Sequence, residues 1–298
     1  MSGKLITIQK RIKSTKNTKK ITRAMQLESS SKMRKLQIKA VSSRDYAQGL
    51  LNILKSISAN EDSENKIYEE IRTTGKNVFI LYSSDRGLCG GLNSRIINTL
   101  LGSKEWKETP IEDRLLITIG KKGYDYATYN KIKVDKSFKA ISEKIALIET
   151  LEIIEGILEY WTDGSAMNIF MASPHYKSSI VFYPQVKSYL PLTDETIKMH
   201  ISPMLDQSIE SEGEDDSTLY EPNVSEFKES ITRQIIQAIF LSSFLELKAS
   251  EYSSRMLAMQ NATDSASEII DTLTLEYNKA RQASITQEII EIVSGSNI

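Results

Sequence analysis

Residues 277–288 read "YNKARQASITQE" and lie inside a longer stretch, 223–294, that contains neither glycine nor proline. Seventy-odd residues without a breaker predict one uninterrupted helix. Ala280, Ala283, Ser284 and Thr286 keep its last part thin and largely polar. A helix this long needs a partner along its length, and the seven-residue repeat shows where that partner packs. One row of the repeat holds Ile231, Ala238, Leu245, Tyr252, Met259, Ala266, Leu273, Ala280 and Gln287, and the other Ile235, Ser242, Ala249, Met256, Thr263, Ile270, Tyr277, Ser284 and Glu291. Apolar residues dominate both rows until the final turns, which is the pattern of a coiled coil.

The opposite end of the chain carries the matching pattern. Residues 4–48 are also free of glycine and proline. Their rows are Leu5, Ile12, Lys19, Gln26, Met33, Ala40, Ala47, Leu54 and Ile8, Thr15, Thr22, Ser29, Leu36, Ser43, Leu50, Ile57. This seam is apolar at both ends and polar from Thr15 to Ser29. At 1.5 Å per residue the two helices reach roughly 80 Å and 100 Å, far more than a globular core spans. They lie at opposite chain ends with a domain between them, so packing on each other makes them antiparallel.

The middle of the chain holds most of the glycines and prolines. "NVFILYSS" (77–84), "RLLITIG" (114–120) and "AMNIFMAS" (166–173) are short, apolar and strand-like, and "SIVFYP" (179–184) is a weaker fourth. Helical stretches at about 92–106, 121–130 and 143–161 alternate with them, which predicts βαβ units and a mainly parallel sheet. The fold class expected is therefore α/β, with a long antiparallel coiled coil of the two terminal helices. The expected divisions are an N-terminal helix over 1–60, an α/β domain over 74–200, an acidic loop over 201–222 and a C-terminal helix over 223–298. Eight carboxylates and no base fall within 206–226.

Composition excludes several function classes. The net charge is −1, and the single cysteine, Cys89, forms no disulfide framework. No apolar run approaches the roughly 18–20 residues that span a bilayer. Residues 1–23 hold eight basic groups and no acid, the composition of a transit peptide. Lysine outnumbers arginine there, however, and the heptads run through without a break, so the segment is read as helix. The glycine-rich loop "SSDRGLCGGLNSRI" (83–96) follows the first strand, where phosphate-binding loops occur, but it matches neither G-x-x-x-x-G-K-[ST] nor G-x-G-x-x-G. Its glycines are read as serving a tight turn, with Asn93 capping the next helix. His175 and His200 stand too far apart in sequence to announce a metal site. No pair of carboxylates is marked as an acid–base couple, so no catalytic residue, metal or cofactor is expected. Residues 1–45 carry thirteen Lys/Arg against Glu28 and Asp45. Aromatics are not interleaved with it, and such a basic stripe suits nucleic acid phosphates and an acidic protein surface equally.

Three stretches carry a resemblance. "RIKSTKNTKKITRAM" (11–25) with "SKMRK" (31–35), "SDRGLCGGLN" (84–93), and "YNKARQASITQEIIEIVSG" (277–295) resemble the gamma subunits of F-type ATP synthases, and "SRMLAMQNAT" (254–263) fits the same family. The resemblance implies a Rossmann-like middle domain and a non-catalytic rotating central stalk. Its partners would be a hexameric ring of alpha and beta subunits, an epsilon subunit and the membrane c-ring, with one copy per complex. Function would be ATP synthesis coupled to hydrogen ion transport, by a peripheral protein on the cytoplasmic face of the bacterial inner membrane or the matrix side of the mitochondrial one. By the same resemblance Arg281 and Gln282 meet a beta-subunit loop, Met25, Lys20 and Arg23 face an acidic beta segment, and the polar seam from Thr15 to Ser29 is where the shaft meets its partner rather than its own second helix. Ile285, Ile289, Ile292 and Val293, with Ile290, form a greasy bearing at the tip. Tyr220 and Glu221 lie at the foot near the c-ring. Glu28 and the acidic loop depart from the family pattern or lie where it varies.

Overall fold

The computed structural model describes residues 3–58, 67–141, 147–193, 195–196, 200 and 224–295. The chain divides into two compact units, Met1–Ser31 with Arg255–Ile298, and Lys32–Ser254. Helix α1, Gly3–Ser58, and the C-terminal helix, Val224–Gly295, each contribute to both units.

The first unit is an antiparallel helix pair. Leu5, Ile8 and Thr22 of α1, with Met259, Thr263, Ala266 and Leu273 of the C-terminal helix, are buried, all of them on the heptad rows. Thr15 to Ser29 behaves differently from expectation. Thr22 is 8% and Ser29 2% exposed, and Thr263 Oγ1 donates to Thr22 Oγ1 at 2.8 Å. Thr22 Oγ1 in turn reaches the Lys19 carbonyl at 3.1 Å. At Thr22 and Ser29 the polar seam is therefore buried within the helix pair, whereas Thr15, Lys19 and Gln26 stay half-buried. Short hydroxyl side chains fit between two helices because they can bond to each other and to their own backbone.

The second unit is built on a five-stranded sheet. Strands β1 (Lys76–Tyr82), β2 (Arg114–Ile119), β3 (Lys136–Phe138), β4 (Ala166–Tyr176) and β5 (Phe182–Leu190) are ordered β3-β2-β1-β4-β5. β1 pairs in parallel with β2 and β4, and β2 with β3, whereas β4 and β5 form an antiparallel hairpin. Sequence patterning misses β3, which is too short to show alternation, and stops β4 and β5 early. Helices α2 (Leu92–Gly102), α3 (Lys104–Glu108), α4 (Lys121–Tyr129) and α5 (Leu147–Thr162) make the connections. The helix predicted over 92–106 breaks at Ser103, whose extended backbone ends α2 and whose hydroxyl caps α3 by accepting from Trp106 N.

β1 is central, and Val78–Tyr82 are fully buried, which explains its unalternating apolar run. The C-terminal helix, α6, closes the core. Ile236, Phe240, Phe244 and Leu247 are buried, Phe240 lies 5.8 Å from Tyr82, and Tyr189 Oη donates to the Ile236 carbonyl at 2.8 Å. Charged side chains tie the same stretch of α6 to the domain. Lys228 pairs with Glu69 at 3.5 Å, Lys248 with Asp85 at 3.7 Å, and Glu246 Oε2 accepts the Tyr176 backbone N–H at 2.9 Å. The acidic loop lies outside the described residues, as do Tyr220 and Glu221.

Candidate functional site

The glycine-rich loop leaves β1 beside the point where the strand order reverses between β1 and β4, the usual place for a ligand in such sheets. Its polar groups are turned inward. Asn93 Oδ1 accepts Ser84 N–H at 2.9 Å and Asn93 Nδ2 donates to Ser84 Oγ at 2.8 Å. Ser83 Oγ accepts the Gly123 N–H at 2.8 Å. Asp85 Oδ1 accepts the N–H groups of Lys121 at 3.0 Å and Ala140 at 2.9 Å, so a carboxylate of the chain already occupies the start of α4. Asn93 is not the helix cap expected from sequence: Gly91 takes that position, and Asn93 clamps the loop to the end of β1. Cys89 is buried against this clamp, 3.3 Å from Asn93 Nδ2. The loop is a braced turn.

The other candidate lies in the helix pair. Thr22 faces Thr263, so moving 19 residues back along α1 to Gly3 brings its described start level with residue 282 of α6 (263 + 19). α6 continues to Gly295. Its last turns therefore extend past the described part of α1, and Ile285, Ile289, Ile290, Ile292 and Val293 are between 48% and 71% exposed. At about 100° per residue, Ile285, Ile289 and Ile292 form one stripe with Arg281 at its head. Gln282 starts the adjacent row, where Thr286 Oγ1 donates to its carbonyl at 3.0 Å. Arg281 and Gln282 are both exposed.

On α1, Lys20 and Arg23 are exposed and about 60° apart around the axis, so they share a face. Arg23 Nη1 donates to Gln26 Oε1 at 2.8 Å. Met25 is half-buried and lies about 140–160° from them, beside the seam. The helix thus joins the two basic residues and separates Met25 from them.

Sequence reasoning missed further apolar groups on this unit. Ile6, Ile21, Leu27, Ile269 and Leu275 are exposed and lie off the heptad rows. That departure from the rows is the signal that could have found them. It also missed that His175 and His200 come together with Glu246. His175 Nδ1 and Glu246 Oε2 are 2.9 Å apart, and His200 Nε2 lies 2.7 Å from the Ser188 carbonyl oxygen. Burial, reinforced by the Lys187 charge, pushes the His200 pKa down to about 4.

A family model described as ATP synthase matches residues 4–297. The ATP synthase gamma chain of Clostridium novyi (strain NT) is 35% identical over 298 residues, covering 98% of this chain and 97% of the relative. That of Geotalea daltonii is 33% identical over 293 residues, again covering 98% and 97%. Among solved structures, a chain of the Euglena gracilis mitochondrial ATP synthase OSCP/F1/c-ring assembly superposes with a TM-score of 0.65 at 16% identity, over 100% of this chain and 95% of that one. A chain from the rotor of the same enzyme gives 0.62 at 15% identity, over 96% and 100%.

Proposed function

The chain belongs to the gamma-chain family of ATP synthases, and we propose that it is the rotating central stalk of a proton-translocating F-type enzyme. In this reading it makes no bond itself. It carries rotation of a membrane c-ring to the catalytic beta subunits, whose nucleotide sites change state as an asymmetric shaft turns among them. The curated relatives are bacterial, which supports a peripheral position on the cytoplasmic face of the inner membrane. No helix among the described residues is long and apolar enough to cross a membrane.

One observation carries the proposal. The heptad rows are buried along most of α6, yet its last turns leave a cluster of aliphatic side chains in solvent. A contiguous apolar patch of this kind marks an interface. A ring of alpha and beta subunits closing around the tip covers it, with Ile285, Ile289, Ile292 and Val293 as a low-friction bearing. Arg281 and Gln282 then hold a beta-subunit loop. Lys20 and Arg23 face an acidic beta segment, with Met25 packing nearer the seam. Epsilon and the c-ring bind at the foot, where Tyr220 and Glu221 belong.

Affinity-tagged chain recovered from gently solubilised membranes tests the reading. Alpha and beta subunits are expected in the eluate, with one tagged chain per ring. An Ile285→Asp, Ile289→Asp, Ile292→Asp triple variant should lose them while keeping its helix content. Recovery of the wild-type chain without alpha and beta, or micromolar ATP binding by the isolated chain in dialysis, overturns it.

A further inference from the structure

The heptad rows place small residues side by side where α1, α6 and the sheet meet. Ala47 occupies a seam position of α1 and Ser242 one of α6, where a coiled coil more often holds a large aliphatic knob. The space so left is a cavity of about 30 Å³, lined among others by Ala47 from α1, Ser242 and Glu246 from α6, Gln185 and Lys187 from β5, and His200. All of these residues belong to the second unit.

Ser242 is 3% exposed, and its Oγ meets no hydrogen-bond partner among the described residues. A hydroxyl sealed away from solvent without a partner costs about 1–3 kcal/mol, so native proteins rarely leave one so. A buried water needs about 10–15 Å³ of such space and two to four polar partners. The cavity therefore has room for roughly two waters. Polar side chains on three sides supply the partners. Lys187 and Glu246 border the space with opposite charges, and His200 and His175, whose Nδ1 lies 2.9 Å from Glu246 Oε2, also line it, so the charged pair by itself selects no ion over a neutral molecule.

We propose that this junction is a hydration site, in which roughly two waters hydrogen-bond Ser242 Oγ and link α6 to β5. The waters complete a polar belt that α6 already presents to the domain through Glu246, Lys248 and Lys228. α6 is then seated on the sheet partly through water, whose hydrogen bonds re-form at little cost when the helix shifts slightly. The inference concerns this junction alone and is independent of the function proposed above.

Oxygen-17 relaxation dispersion of water, recorded on the full chain, reports long-lived internal waters through its amplitude. Ser242→Val removes the hydroxyl and fills the space, and it should reduce that amplitude by the equivalent of one or both waters. Gln185→Leu approaches the same space from β5 and should also reduce it, which keeps the test open should one variant fold poorly. Circular dichroism establishes that each variant is folded. An amplitude equal to wild type in the folded variants overturns the proposal.

Discussion

Thr22 sits in the seam and shares a hydrogen bond with Thr263, while the Thr263 hydroxyl also has the Met259 carbonyl within 2.7 Å. Thr22→Val keeps the shape and leaves Thr263 a fallback partner, so stability should change by less than about 1 kcal/mol. Thr22→Asp buries an unpaired carboxylate and should cost about 3 kcal/mol, read from denaturant midpoints. Equal tolerance of both would mean that the seam faces outward. Gly120 has φ +92°, and a Cβ there would lie 2.1 Å from the Ser83 carbonyl oxygen. The Cβ is fixed directly to the backbone and meets a backbone oxygen, so no flexible side chain can yield. Gly120→Ala should destabilise the domain by about 3 kcal/mol or more, visible as a lowered thermal midpoint. His200 supplies the pH dependence. Its pKa is near 6.5 unfolded and about 4 folded, so the folded state binds fewer protons between those values. Stability is complete above pH 6.5 and falls as the pH drops toward 4, by about 3 kcal/mol in total. His200→Asn can still donate to the Ser188 carbonyl and should flatten this part of the pH–stability curve. An unchanged curve contradicts the assignment.

Among the elements, α6 changes character along its length. Its first turns are part of a globular core, its middle is one half of a coiled coil, and its end is exposed. The exposed end is where substitutions should separate folding from function. Arg281 is exposed at the head of the Ile285–Ile289–Ile292 stripe, so Arg281→Ala should move stability by no more than about 0.5 kcal/mol. If Arg281 grips a beta-subunit loop through a forked hydrogen bond, the same variant should impair coupled ATP synthesis in inverted membranes. Arg281→Lys should not restore it fully, because an ammonium cannot copy the fork. Wild-type synthesis by Arg281→Ala ends that assignment. A loss of helix content comparable to a core substitution would instead place Arg281 inside the coil.

For the whole molecule, the question is how the stalk is held at its foot. The carboxylates of 206–226 include Glu212, Glu214, Asp215 and Asp216, with no base among them. Each exposed pair they could form with a basic partner contributes at most about 1 kcal/mol and is screened by salt. If they dock the stalk, the effect is collective and acts chiefly on association. Replacing those four residues by their amides should weaken rebinding of the soluble sector to stripped membranes at low ionic strength, with the difference vanishing at high salt. Identical rebinding at low salt would show the segment to be a plain linker.

Much of this architecture is legible in the sequence because it repeats along it. The seven-residue rows of α1 and α6 name the buried seam nearly residue by residue, since helix geometry turns spacing directly into a face. The unbroken apolar run of β1 likewise marks a strand covered on both sides. Tertiary structure decided what spacing cannot carry. Thr22 looks like an outward residue in one dimension and becomes an inward one only when Thr263 stands opposite. Asn93 has the composition of a cap and the position of a clamp, because Ser84 comes within its reach. β5 runs antiparallel because its hairpin with β4 is short. His175, Ser242 and Glu246 meet around one small space although some seventy residues separate the first from the others. Periodicity records what a residue does within its own element, while contacts between distant elements depend on shapes that exist only after those elements pack.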